Sequence, residues 1–328
     1  MSSIPKVCVG IPVYNGEKYV AATIESVLAQ DFEDLEVVIS DNVSSDATGE
    51  ICRDFASRDA RVRYVRHEEH VGVADSFSRT FSLCRSEFFR WAAADDVSAP
   101  TFVTKALQVL EDHPSAVVCY SEAAVVDAAG DRVRDDDFML DLSGPSPSQR
   151  FRRIVLAPIK RHAGHEQYGL IRAQALRAAG AMSSHVYGDR VLLVRLALQG
   201  PMLRLPEVLF FNRDHDGRSQ REGVRRTRPG SVLSRWIGVG PWPPSEFWNP
   251  ARTGRIVFPE WDLAGQYLLA ATTSDVSAED KACCVAAVLA MMGLRAPRYG
   301  RDVIVGVEQA ARLLAGGRLP WKGGLDAL

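Results

Sequence analysis

Between Lys6 and Tyr120 the chain alternates without a break between short apolar runs and segments whose apolar residues recur at helical spacing. Lys6 to Val13, Leu35 to Ser40, Val62 to Val65, Phe88 to Ala93 and Ala116 to Tyr120 read as strands. A helix is expected over Tyr19 to Gln30, with Val20, Ile24, Val27 and Leu28 on one face. Ser45-Asp46 supplies cap chemistry for a second helix to Arg58, and Val73 to Cys84 is a third. Pro100 sits in the first turn of a fourth, with Val103, Ala106, Leu107 and Leu110 in line. Parallel strands joined in this way need crossovers, which place helices on both faces of the sheet. The expected fold class is α/β, a Rossmann-like, mostly parallel sheet flanked by helices.

The pattern then changes. Asp127-Ala128-Ala129-Gly130 reads as a hairpin turn, with Asp135-Asp136-Asp137 in a solvated stretch beyond it. Gln167 to Ile171 and Val208 to Asn212 are expected as short strands around a helix from Asp189 to Gln199. Seven arginines mixed with Gly, Ser and Pro fill Arg213 to Arg235, the composition of a linker. Asp262 to Thr273, Ala278 to Leu294 and Arg301 to Leu314 read as helices, the second opened by the capping pattern Ser277-Ala278-Glu279-Asp280. An α/β domain over 1–225 followed by a linker and helical extension over 226–328 is the expected organisation.

Lys plus Arg (39) nearly balances Asp plus Glu (41), which argues against a dedicated nucleic-acid binder. The six cysteines form no CxxC pair, so buried reduced thiols are expected. The start of the chain has no basic region leading into an apolar stretch, and the uncharged apolar run Ala282 to Leu294 is too short to span a bilayer. A cytoplasmic protein without a transmembrane segment is expected, with peripheral membrane contact and homodimer formation left open. A phosphate loop of the G-x-x-x-x-G-K-[ST] type, a G-x-G-x-x-G turn and a G-x-S-x-G elbow are all absent from the sequence.

Polar and acidic side chains gather where three of the strands stop: Ile11-Pro12-Val13-Tyr14-Asn15, Ser40-Asp41-Asn42 and Ala94-Asp95-Asp96. Ligands of open α/β sheets bind outside the carboxyl ends of the strands, so these motifs would share one crevice. Carboxylates at Asp95 and Asp96 suit Mg or Mn bridging to phosphates, which would neutralise a departing diphosphate; alternatively they are an N-cap pair ahead of Ser98 and Pro100. Asp41 would accept the imide N–H of a pyrimidine base, with Asn42 assisting, or would simply open the turn into the next helix.

Together these segments resemble glycosyltransferase family 2, whose fold is the A-type glycosyltransferase fold, GT-A. Ile11-Pro12-Val13-Tyr14-Asn15-Gly16-Glu17 is similar to the family's opening strand end, and Ser40-Asp41-Asn42-Val43-Ser44-Ser45-Asp46 to its D-[DN]-x-S-x-D segment. Val71-Gly72-Val73-Ala74, Ser78-Arg79, Trp91 to Asp96, Tyr168 to Arg172, Gly188-Asp189 and Leu205 to His215 extend the resemblance over residues 4–220. It implies inverting transfer from a nucleotide-diphosphate sugar to a carbohydrate, lipid-linked or small-molecule hydroxyl. In the implied site Asp41 and Asn42 hold the base, with Pro12, Tyr14, Asn15 and Glu17 around the nucleoside. Arg79 faces ribose or phosphate, Asp96 is the principal metal ligand, and Asp95 points toward sugar or ribose. His215 completes the metal shell or touches the diphosphate. Asp189, at a helix start beneath Tyr187, is the implied general base; read alone it is a helix N-cap. The chain departs from the pattern at Ala93, where relatives carry an acid, and at His70, where they carry Asn.

Other features have plainer readings. His67-Glu68-Glu69-His70 is not a zinc helix motif, and His162 and His165 sit in an expected surface loop. The Arg218 to Arg228 cluster would bind a diphosphate or an anionic membrane surface, or act as a solvated linker. Trp236, Trp242, Trp248 and Trp261 would pack in the tail. Two rival functions remain: a sugar nucleotidyltransferase, and a non-catalytic nucleotide-sugar-binding protein of the same fold.

Overall fold

The computed structural model describes residues 4–136, 138–159, 161–180, 182–184, 187–215 and 255–314. The first half is built as β1 (Val7–Val13), α1 (Val20–Leu28), β2 (Leu35–Asp41), α2 (Thr48–Arg58), β3 (Val62–Arg66), α3 (Val73–Ser82) and β4 (Phe88–Trp91). Then come β5 (Val97–Ser98), α4 (Phe102–Asp112), β6 (Val118–Val126), β7 (Arg132–Asp135) and α5 (Pro147–Leu156). A 3-10 turn (His165–Tyr168) precedes β8 (Leu170–Arg172), α6 (Ala173–Ala179), α7 (Gly188–Gln199) and β9 (Met202–Arg213). The last described helices are α8 (Pro259–Thr273), α9 (Ala278–Leu294) and α10 (Ala296–Leu314).

The nine strands form one sheet in the order β3-β2-β1-β4-β8-β6-β9-β5, with β7 paired to β6. Strands β1, β2, β3, β4, β6 and β9 run one way; β8, β5 and β7 run against them. The two-residue side-chain period sorts β1 cleanly. Val7, Val9, Ile11 and Val13 join Ile24, Val37, Ile39 and Phe102 on one face. Cys8 joins Val38, Trp91, Phe151 and Leu192 on the other. Each such aliphatic side chain contributes roughly 1.5–3 kcal/mol by leaving water. Gly10 lies where α3 crosses the sheet, and a Cβ there would stand 2.6 Å from Thr80 Cγ2 and 2.9 Å from Phe89 Cε2.

Leu263, Tyr267, Cys284, Val288 and Met291 of α8 and α9 belong to the same buried cluster as α5 and α7. The C-terminal helices are thus packed into the α/β body. Ser277 caps α9 as its sequence suggests, its hydroxyl accepting the Asp280 amide at 3.0 Å.

Several expectations are corrected. The Gln167–Ile171 strand is a 3-10 turn plus the three residues of β8, because Tyr168 gives its carbonyl to the buried Arg90 guanidinium at 2.9 Å rather than to a strand ladder. Strand β4 stops at Trp91, ahead of Ala93, and the last helix starts at Ala296, five residues before Arg301. The mostly parallel sheet expected from the sequence is present, with β8 inserted antiparallel between β4 and β6. Cys8 and Cys84 are not free thiols but a disulfide joining β1 to the end of α3; Cys52, Cys119, Cys283 and Cys284 are free. Asp137, the Arg218–Arg228 cluster, Trp236, Trp242, Trp248 and the expected 225/226 boundary lie outside the described residues. No helix among the described residues is long and apolar enough to cross a membrane.

Candidate active site

The carboxyl ends of β1, β2, β4 and β9 share one edge of the sheet. Because β8 is antiparallel, the turn that precedes it lies beyond the end of β4 and beside the middle of β6. Topology therefore gathers distant segments of sequence at one place, as the switch-point rule for α/β sheets anticipates.

Beyond β1, the chain is stitched to the start of α2. Asn15 adopts φ 49°, its amide donates to Ser44 Oγ (2.9 Å), and its Oδ1 accepts the Ser45 amide (2.8 Å). Gly16 N donates to Thr48 Oγ1 (2.8 Å), while Glu17 exchanges bonds with Asp46 and the Ala47 amide. Asn15 and Glu17 are thus committed to holding two loops together. Tyr14 meets His70 edge-on, ring centroids 4.4 Å apart, and Pro12 is buried in β1. Asn42 clamps Val71 with both ends of its amide, at 2.8 and 2.9 Å.

Asp41 has no exposed surface. Its Oδ1 accepts the Ser44 amide (2.8 Å), and its Oδ2 accepts the Tyr64 hydroxyl (2.6 Å) and the half-exposed Arg66 guanidinium (3.2 Å). Burial, reinforced by the bond to Asp41, pushes the Tyr64 phenol up to about 12. Arg79, on α3, donates to the Glu69 carbonyl at 3.2 Å.

The acidic pair splits in character. Asp96 is 4% exposed and accepts the Asn212 amide on both oxygens (3.1 Å each) and the Arg213 backbone N–H (2.8 Å). Asp95 lies at the mouth, its Oδ2 3.0 Å from His215 Nε2, with side chains 31% and 12% exposed. Tyr19 packs on the His215 ring at 4.6 Å and under the Arg213 guanidinium at 5.0 Å. Arg213 also donates to the carbonyls of Asp95, Asp127 and Ala128, tying the β6–β7 hairpin turn to the acidic pair. Two donor atoms held about 2.1 Å from one octahedral ion stand about 3 Å apart. Asp95 Oδ2 and His215 Nε2 are hydrogen-bonded to each other at 3.0 Å; a divalent cation would replace that bond, and a carboxylate and an imidazole are a donor set suited to Mn.

Asp189 opens α7, after Tyr187 in the left-handed region (φ 67°). It is half-buried, and burial raises its carboxyl above the ordinary value, opposed by the Arg190 amide and by the charge of Arg190. A Cβ on Gly164, itself at φ 74°, would stand 3.1 Å from Asp189 Oδ2, so the 161–166 loop forms the floor under this carboxylate. His162 and His165, expected in a surface loop, are instead buried, the first against Glu166 and the second beside Asp136. His67 bonds Ser40 (2.7 Å) and ligates nothing resembling a metal cluster with His70, whose Nδ1 meets the Asn42 carbonyl.

Sequence reasoning missed Tyr19, Tyr64, Arg66, Asn212 and Arg213. Asn212 ended an expected strand and Arg213 opened the expected linker, both close in sequence to His215. Tyr64 and Arg66 looked like ordinary strand residues; only the β2–β3 pairing, with Asp41 opposite Arg66, brings them to Asp41.

Comparison with known proteins bears on the fold and the family. S. aureus TarS 1-349, solved in complex with UDP-GlcNAc, superposes over 93% of this chain and 81% of its own with a TM-score of 0.61 at 15% identity. Its complex with UDP gives 0.59 at 16% identity, over 88% of this chain and 71% of that one. Glycosyltransferase GlyG of Streptococcus pneumoniae is 29% identical over 34% of this chain and 37% of its own length. The uncharacterised protein Rv1520 of Mycobacterium tuberculosis is 28% identical over 62% of this chain and 57% of its own. The chain thus spans less than two thirds of the curated relatives it matches. A family profile described as Glycosyl transferase family 2 matches residues 8–180, just over half of the 328, and with the fold this establishes that the chain belongs to glycosyl transferase family 2.

Proposed function

We infer that this protein is an inverting glycosyltransferase that moves a sugar from a uridine-diphosphate donor to an acceptor hydroxyl. The observation that carries the reading is the pairing of Asp95 with His215 beside buried Asp96, on the sheet edge where β2 ends at Asp41. A carboxylate offers about four acceptor directions, and three donors already occupy Asp41. Asp41 has no exposed surface, so the half-exposed Arg66 guanidinium would have to withdraw for the imide N–H of uracil to take its place. The likeness to TarS, solved with UDP and UDP-GlcNAc, supports the same base.

Asp95 and His215 would hold a divalent cation, with Asn212 and the Arg213 amide fixing Asp96 behind them. When bound, Mn or Mg supplies charge neutralisation for the departing diphosphate. Pro12 and Tyr14, braced by His70, would wall the nucleoside, while Asn15, Glu17 and Asn42 keep the walls in place. Arg79 would leave the Glu69 carbonyl to face ribose or phosphate. Asp189 would take the proton of the acceptor hydroxyl as its oxygen attacks the anomeric carbon opposite the bond to UDP; that bond breaks, the configuration inverts and UDP departs.

The test is incubation of the full chain with UDP-glucose, UDP-galactose and UDP-GlcNAc, with and without Mn, following UDP release and the anomeric configuration of the released sugar by NMR. Mn-dependent release of UDP with a β-configured product from an α-linked donor is expected. Pyrophosphate release from UTP and a sugar 1-phosphate, with no UDP from any sugar donor, would make it a nucleotidyltransferase instead.

A further inference from the structure

Arg190 is 2% exposed and follows Asp189 in the first turn of α7. A charged side chain in such surroundings is costly unless its donors are used, and here they reach four acceptors on three segments. Its Nη2 donates to the carbonyls of Ile154 (2.6 Å) and Ala157 (3.3 Å) at the end of α5. Its Nη1 donates to His162 Nδ1 (3.0 Å), and its Nε to the Tyr267 hydroxyl of α8 (3.3 Å).

A guanidinium has no acceptor, so the contact to Arg190 requires His162 Nδ1 to be the accepting nitrogen. The His162 proton then resides on Nε2 and points at both oxygens of Glu166, each 3.0 Å away. Glu166 and His162 are themselves buried, one in the 3-10 turn and the other at the start of the loop. Between them lies Gly164, the residue on which the Asp189 carboxylate rests. Arg190 therefore fixes the floor under Asp189 from one side and lends it positive charge from the other.

We propose that Arg190, held in place by Tyr267 of the C-terminal helices, is the positioning residue for Asp189, so that α8 is part of the catalytic apparatus. This rests on the reading of Asp189 as the general base. The plain competitor is that Arg190 only satisfies the open carbonyls at the end of α5. The titratable groups facing Asp189 among the described residues are Arg190 on its own helix, His162 on the loop and Tyr267 on α8. Tyr187 precedes it, and its phenol is also raised by burial.

The deciding experiment compares the full chain with its Tyr267→Phe and Arg190→Gln variants. The readouts are melting temperature, UDP–Mn affinity, kcat and KM for UDP-sugar hydrolysis, and the 13C carboxyl titration of Asp189, assigned with Asp189→Asn. Tyr267→Phe is expected to leave UDP–Mn affinity and donor KM unchanged while kcat falls about tenfold, as misplacement of a reacting group does. Arg190→Gln is expected to move the Asp189 titration to higher pH. A Tyr267→Phe protein that melts lower but keeps the parental kcat overturns the proposal, and this variant decides if Arg190→Gln does not fold. If Asp189→Asn itself keeps full rate, the general-base reading fails instead, and the proposal falls with it.

Discussion

His215 Nε2 stands 3.0 Å from Asp95 Oδ2, although 120 residues separate them, because β9 runs parallel to β6 and ends at the same sheet edge as β4. The ring is held there by Tyr19 at 4.6 Å. This pair is more exposed than Asp96, which is 4% exposed. His215→Ala is expected to weaken Mn-dependent UDP binding by about ten- to a hundredfold, the cost of losing an interaction that sets metal affinity. Calorimetric titration with UDP in saturating Mn checks it; unchanged affinity would place the cation elsewhere.

The pH profile should carry the mark of Asp189. Burial raises its pKa, so the proton-accepting carboxylate is populated only above that raised value, and kcat should fall as pH drops through it. The acid limb is expected above the ordinary carboxylate range and should vanish with activity in Asp189→Asn. A profile flat down to the ordinary range of aspartate would remove Asp189 from the chemistry.

At Gly10 an added methyl would meet two fully buried neighbours, Thr80 and Phe89, within 3 Å. Gly10→Ala is therefore expected to destabilise the fold by about 1–3 kcal/mol through overpacking. Urea denaturation followed by circular dichroism measures this, and parental stability would mean that α3 does not cross the sheet so closely.

The disulfide predicts a thiol count. Denatured without reductant, the chain should titrate four thiols, and after reduction six. Cys84→Ser should cost about 2–4 kcal/mol, since the bridge spans 76 residues. Six thiols before reduction would contradict the pairing.

Strands β1, β2 and β4 were legible because each is buried on both faces and reads as an apolar run bounded by polar residues. Strand β7 was not: all four of its residues are exposed, so no apolar face marks it. Strand β8 has three residues and takes its place from its neighbours rather than from its own pattern. In the site, the residue types of Asp41, Asp95 and Asp189 drew notice from sequence, but their partners are distant in the chain. Asn15 and Glu17 also brace the Ser44–Thr48 loop 30 residues away, a link that no local pattern shows. Arg190 carries no mark in the sequence; its burial follows from carbonyls of α5 and a tyrosine of α8 that periodicity cannot place beside it.

The most direct test of the central claim is the melting temperature of the full chain with UDP, alone and with Mn, set beside Asp95→Ala. At a hundredfold excess over Kd a ligand stabilises the native state by about 2.7 kcal/mol. The account predicts a clear rise in melting temperature with UDP and Mn together, little with UDP alone, and none in Asp95→Ala. An equal rise without Mn, or a full rise in the variant, would contradict it.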